Sequence, residues 1–411
     1  MHTYLRTFLG TVLAIIALTA TCNVLVDPYQ MSGATLLQRW AGVKPYFGDN
    51  HVLGKPFVIR ERQPHAVILG TSRENHGIDP NHPAWPVSAQ RTYNLALDAA
   101  NMADLERLFE HAHHVTALEE VIIALDFLNM FDAGAPGADN LDTSLLVSDG
   151  HSAAATWLNA ARYFVSWPML RDSVHTLWEQ DPARNEFESH GRRNGVVFER
   201  AAGRFGQHHM FEFSERRYLR ARLPLPPARR YVPNDTTGPT LRHLARLLDR
   251  AADEHIQVRL YITPVHARQL EVYRALGLWT ALEQWKRSLR NTALGLELRR
   301  TQQPFELWDF ADYSSLTTEA VPAADNVQVR MQWYWESSHY KKPLGDQVLN
   351  RIFAVPHAAV PTDFGVLLNT LSDAAFEQHL QHIQNHGAAY RESHPHDVAD
   401  LQRLAAEARG P

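Results

Sequence analysis

The chain has 411 residues, 45% of them hydrophobic and 21% charged, with a formal charge of −5. That composition excludes a collagen-like, coiled-coil or wholly disordered chain, and the mild acidity argues against a general nucleic-acid binder. A single cysteine, Cys22, excludes a disulfide framework and multi-cysteine zinc sites, while a mean hydropathy of −0.32 excludes a polytopic membrane protein but not a single span.

Such a span opens the chain. No charge occurs from Thr7 to Val26, and twenty residues at ~1.5 Å rise reach roughly 30 Å, about one hydrocarbon thickness. Arg6 precedes the segment and Asp27 is the first charge after it, an order that favours the N-terminus inside and the remainder outside. Residues 1–27 are therefore expected to be an uncleaved anchor. A cleaved signal peptide is the alternative, because Ala20-Thr21-Cys22 offers small residues at a cleavage position.

Residues 28–60 read as a linker of mixed composition. His65 to Leu69 then forms a short apolar run, predicted to be a strand ending in Gly70-Thr71-Ser72-Arg73. A short second strand is expected around Tyr93-Asn94, and a helix from Ala103 to His114, where Leu105, Leu108, Phe109 and Ala112 recur at helical spacing. Val121 to Leu125 is another strand. Leu241, Leu244, Leu247 and Leu248 mark a helix leading to the strand Val258–Ile262, which Thr263-Pro264 stops. A long helical stretch over about 267–298, a strand from Phe305 to Phe310 and a helix from Leu344 to Phe353 complete the pattern. Strands alternating with helices predict an α/β fold with a mostly parallel sheet covered on both faces. The core is then 61–132 and 240–355, interrupted by an insertion at 133–239. A tail follows at 356–411, with a helix near 371–390. The second half of the insertion carries ten arginines between Arg192 and Arg230, against three glutamates and no lysine. It reads either as a solvated surface or as a face for an anionic polymer or lipid headgroups.

Ligands of an open parallel sheet sit at the carboxyl ends of its strands. There this sequence places Gly70-Thr71-Ser72-Arg73, then Asn94-Leu95-Ala96-Leu97-Asp98-Ala99, Asp126-Phe127-Leu128-Asn129 and Pro264-Val265-His266. Glu336-Ser337-Ser338-His339 stands just before the last core helix. A hydroxyl, an imidazole, a carboxylate and tight turns are the parts acyl transfer needs.

These blocks resemble those of the SGNH (GDSL-like) hydrolase and acyltransferase superfamily. Gly70-Thr71-Ser72 is similar to Gly-Asp-Ser, Asn94 to Ala99 to Asn-x-Gly-x-x-Gly, and Glu336-x-x-His339 to Asp-x-x-His. With the anchor, the resemblance is to membrane-tethered cell-envelope members such as the alginate O-acetyltransferase-like and lipoteichoic-acid D-alanylation-like proteins. It implies a three-layer SGNH-type domain and an exported serine acyltransferase or esterase acting on O-acyl groups of a cell-envelope polysaccharide or an acylated small molecule. It also implies a bacterial inner-membrane location facing the periplasm, a polytopic membrane partner as acyl donor, and no cofactor. Ser72 would be the nucleophile, His339 the base and Glu336 its orienting carboxylate. Ala99, Asn94, Arg73, Asn129 and His266 would be oxyanion or substrate groups. The sequence departs from the pattern where Ala96 and Ala99 replace glycines and Asp126 stands in the place of an oxyanion-hole asparagine, which Asn129 would then have to supply. A catalytically inactive scaffold holding an anionic polymer or an assembly partner through Arg192 and Arg193 is the alternative. Asp309 and Asp312 are reserve carboxylates. His379, His382 and His386 share a helical face at metal-like spacing, read as a solvated polar face. His111, His113 and His114 lack ligand partners at such spacing, and there is no Walker motif, Gly-x-Gly-x-x-Gly or His-Glu-x-x-His.

Overall fold

The computed structural model describes all residues except 87–90, 131–136, 139–140, 224–238, 300–304 and 410–411; Arg229 and Arg230 thus lie outside the described residues. Helix α1 (His2–Val26) is followed by α2 (Phe47–Arg62), β1 (Ala66–Leu69), α3 (Ser72–Gly77), β2 (Thr92–Asn94), α4 (Met102–Val115), β3 (Glu120–Leu125) and the single turn α5 (Phe127–Met130). The interrupting region holds α6 (Ala153–Phe164), α7 (Trp167–Trp178), α8 (Val196–Phe205) and α9 (Gln207–Arg222). The core resumes with α10 (Pro239–Asp253), β4 (Gln257–Ile262), α11 (Ala267–Ala275), α12 (Trp279–Arg299), β5 (Glu306–Asp309), α13 (Lys342–Ile352) and β6 (Val366–Leu367), and the chain ends in α14 (Asp373–Ser393) and α15 (Pro395–Arg409).

The sheet order is β2-β1-β3-β4-β5-β6, parallel except for the antiparallel edge strand β6. Every residue of β1 and β3 is buried, which is why β1 and, after the Arg259-paired Glu120, the rest of β3 are continuous apolar runs rather than alternations. Alternate residues feed two cores. Val67, Leu69, Val121, Ile123 and Leu260 pack with α2, α4, α10 and α12 on one face, while Ile68, Ile122, Ala124 and Tyr261 pack with Leu344, Val348 and Ile352 of α13 on the other. The strand order reverses at β1, so the crevice of this sheet opens beside the ends of β1 and β3.

Helix α1 is long and apolar enough to cross a membrane, and 11% of its most apolar window is buried. Several elements differ from expectation. The segment read as a linker contains α2, whose residues from His51 to Ile59 are all buried. Gly54 lets it touch the chain before it, since a Cβ there would sit 2.0 Å from the Tyr29 carbonyl oxygen. The stretch predicted as one helix over 267–298 is two, because Gly277 at φ +74° ends the first turn-over between α11 and α12. The tail carries a second helix, α15, and the two-residue strand β6 lies between α13 and α14.

Candidate active site

The chain leaves β1 through Gly70 and enters α3 at Ser72. Thr71 is the N-cap: its side chain and that of Glu74 form a reciprocal capping box. The Glu74 carboxylate also accepts hydrogen bonds from Thr263 at 2.6 Å and Tyr340 at 3.2 Å, tying the turn to β4 and to the loop before α13. With Thr71 capping, the Ser72 hydroxyl is left for another partner. It lies 2.7 Å from Nε2 of His339.

Nδ1 of His339 bonds Oε1 of Glu336. Glu336 also accepts the backbone N–H groups of Ser338, at 3.1 Å, and His339, at 2.9 Å. Burial pushes its carboxyl pKa up, but the charge and hydrogen bond of His339 outweigh this and hold it below the usual range. An ionised Glu336 can only accept, so Nδ1 carries the hydrogen and Nε2 is free to take the Ser72 proton. Ser72, His339 and Glu336, expected together from the sequence, form one relay.

The backbone N–H groups of Ser72 and Ala99 have no acceptor among the described residues. Ala99 stands at φ +59°, a left-handed conformation that favours glycine and costs an L-residue about 1–2 kcal/mol. Its loop lies against the Gly70–Ser72 turn, since the Leu97 N–H donates to the Gly70 carbonyl at 3.2 Å and Asn75 Nδ2 to Asp98 at 3.0 Å.

Three other expected residues serve elsewhere. Asn94 is fully buried, with Nδ2 on the carbonyls of Glu74 (2.8 Å) and Ile78 (3.0 Å) and Oδ1 on the Ala96 N–H (3.1 Å), so all of its capacity goes to bracing the loops. His266 caps α11: Nε2 donates to the Glu319 carbonyl at 2.7 Å and Nδ1 accepts the Arg268 N–H at 3.2 Å, and burial pushes its pKa down to about 4. Arg73 is buried and ion-paired to Asp126, and its guanidinium also donates to the Ser338 carbonyl and hydroxyl, both at 2.9 Å. All three contacts are internal to the protein. The Asp126 charge is thereby paired with Arg73, beside the Thr71 hydroxyl at 3.5 Å, and Asn129, half-buried on α5, makes no hydrogen bond to Ser72 or His339 among the described residues.

Arg73 thus fixes the loop that carries His339. Arg73→Met should cost about 3 kcal/mol in urea unfolding by leaving Asp126 buried and unpaired. Arg73→Met/Asp126→Leu should recover most of that loss while leaving the Ser338–His339 loop without its anchor.

The sequence reading missed a second layer beneath this relay. Asp98 receives Arg193 at 2.9 Å and faces His51 at 3.8 Å. Burial would raise its pKa, but His51, Arg193 and the Asn75 bond together drive it far below the carboxylate range. Lys55, wholly buried on α2, donates to Asn75 Oδ1 and to the Ala96 carbonyl, both at 2.8 Å, and burial lowers its pKa well below the usual value. The His339 ring packs on His76 at 5.8 Å and on Phe198 of α8 at 5.3 Å between centroids, and Tyr218 of α9 bonds the Ser338 hydroxyl at 3.0 Å. Burial, followed by the charge on His339, holds the His76 pKa well down. The interrupting region therefore forms a wall of the site. The first two arginines of its arginine-rich second half are neutralised locally, Arg192 by Glu188 and Arg193 by Glu186 and Asp98.

The other titratable candidates lie apart. Asp309 holds Lys286 at 2.7 Å and His379 at 3.0 Å, so His379 leaves the helical histidine set. His382 and His386 instead meet Asp312, with ligand atoms within 4.8 Å of one another. His111 is a buried clamp between Pro56 and Val147, while His113 and His114 face Glu254 and Asp149. Comparison with family models, with curated proteins and with solved structures finds no match for the chain.

Proposed function

We propose that this protein is a membrane-anchored extracytoplasmic serine acyltransferase or esterase of the SGNH type, acting on O-acyl groups of a cell-envelope polysaccharide. The observation that carries the reading is the Ser72–His339–Glu336 relay beside two unpaired backbone N–H groups. The three motif blocks fall at the ends of β1 and β2 and immediately before α13, which is consistent with that family.

Ser72 Oγ attacks the ester carbonyl carbon while its proton passes to Nε2 of His339. The N–H groups of Ser72 and Ala99 hold the oxyanion. Collapse breaks the C–O bond, and His339 returns the proton to the departing alcohol. Water or a sugar hydroxyl then attacks the acyl-Ser72 ester, His339 takes its proton, and collapse restores the serine hydroxyl. Helix α1 would hold the domain at the outer face of the inner membrane, where a polytopic partner delivers acyl groups.

A fluorophosphonate probe tests this. Ser72 Oγ should displace fluoride and form a Ser72–phosphorus bond, located by peptide mass spectrometry and lost in His339→Ala. No adduct on Ser72 in the folded protein would favour the inactive scaffold.

A further inference from the structure

Helix α7 has its polarity turned outward. Its buried face carries Asp172, Ser173 and Thr176 beside Met169. Its solvent face carries Trp167, Arg171, Val174 and Trp178, at i, i+4, i+7 and i+11, with Leu177 beside them. Trp167 is 72% exposed and Trp178 83% exposed. On the preceding α6, Leu158 is 77% exposed. From residue 153 to 178 the single carboxylate is Asp172, which is buried, while Arg162, Arg171 and His175 are exposed. A water-facing helix has the opposite arrangement. Tryptophans interleaved with basic groups suit the headgroup level of a bilayer.

The buried polar face shows where this surface sits. Asn23, in the last turn of α1, donates to the Phe164 carbonyl at 2.8 Å and accepts from Ser173 at 2.8 Å. Tyr29, just beyond α1, donates to Asp172 at 2.6 Å, and Gln180, just beyond α7, bonds the backbone of Val43. The end of α1 is thus clamped to the α6–α7 hairpin, and no free tether separates them.

We propose that the α6–α7 hairpin is an interfacial membrane collar: Leu158, Trp167, Val174, Leu177 and Trp178 insert at the headgroup–acyl boundary around the base of α1. The occupant of this apolar face is lipid, because the face is continuous with the only helix among the described residues fit to span a bilayer. The inference rests on the anchor reading. It implies that the α/β domain is held against the membrane in one orientation instead of swinging on a linker.

The test uses the full chain in phosphatidylethanolamine/phosphatidylglycerol vesicles, in a Cys22→Ser background. Single cysteines at Leu13→Cys, Trp167→Cys, Trp178→Cys and Asp373→Cys carry an environment-sensitive fluorophore, and nitroxide lipids quench at shallow or deep positions. The labels at 167 and 178 should show blue-shifted emission, quenched several-fold and more by shallow than by deep nitroxides. The label at 13 should favour deep quenchers, and the label at 373 should stay in water. Aqueous spectra at 167 and 178 with deep quenching at 13 would overturn the collar and leave the anchor standing. An aqueous label at 13 would overturn the anchor and with it a collar around the base of α1, whatever the labels at 167 and 178 report.

Discussion

Ser72→Ala should lower turnover of an activated ester such as p-nitrophenyl acetate by about 10⁴-fold or more, with the unfolding midpoint unchanged. Its Oγ has one short-range partner, Nε2 of His339, and the cap of α3 belongs to Thr71, so the hydroxyl can be removed without loosening the helix. His339→Ala should cost a similar factor. Glu336→Gln should cost nearly as much, because the amide no longer requires Nδ1 to carry the hydrogen and Nε2 ceases to be the acceptor. Since the three act as one unit, Ser72→Ala/His339→Ala should be no slower than the worse single variant. Additive losses, or full activity in Ser72→Ala, would remove the serine mechanism.

The parts of this site that were legible in the sequence are those written locally. Ser72 follows an all-apolar strand by three residues, and Glu336 and His339 are three apart, so strand end and spacing reveal them. The supporting layer is not local. Arg193 reaches Asp98 across 95 residues and Arg73 reaches Ser338 across 265, and no periodicity encodes such pairs. Lys55 was hidden for a different reason. Helix α2 is buried nearly all round and holds Gly48, Gly54, Lys55 and Pro56, so it shows no amphipathic period and its composition imitates a linker. Ala99 misled in the opposite direction. Its methyl suggests ordinary backbone, yet its loop adopts the left-handed conformation that glycine would supply. On α7 the polar residues face inward, so a reader expecting apolar residues inside would assign the wrong face.

Stability should fall steeply between pH 7 and pH 5, and the cause is a set of buried neutral histidines. His111 donates from Nε2 to the Pro56 carbonyl at 2.8 Å and accepts the Val147 N–H on Nδ1 at 2.8 Å. His266 has the same one-donor, one-acceptor arrangement. Each ring is satisfied only as a neutral tautomer, and a second ring proton would face an N–H. Burial pushes both to about 4, and His51 likewise to about 4. Unfolding returns each ring to about 6.5, so below that pH the unfolded chain binds more protons and stability drops as pH falls. Between pH 7 and pH 5 each histidine contributes a loss of about 1.8 kcal/mol, and the three together about 5.5 kcal/mol. Asp98, Asp309 and Glu336, whose pKa values are lowered in the fold, keep their contribution through this window and lose it only below about pH 4. Asp27, Glu120, Glu215 and Glu319 are raised, chiefly by burial. They take up protons in the folded state first and so oppose the histidines as pH falls. The share of one histidine is separable from that background. His111→Gln keeps a donor and an acceptor but cannot titrate, so urea unfolding in detergent at both pH values should show the pH 7-to-5 loss shrinking by about 2 kcal/mol relative to the parent. An unchanged loss would mean that His111 takes up its proton as readily in the fold as in the unfolded chain, and would remove His111 from this account.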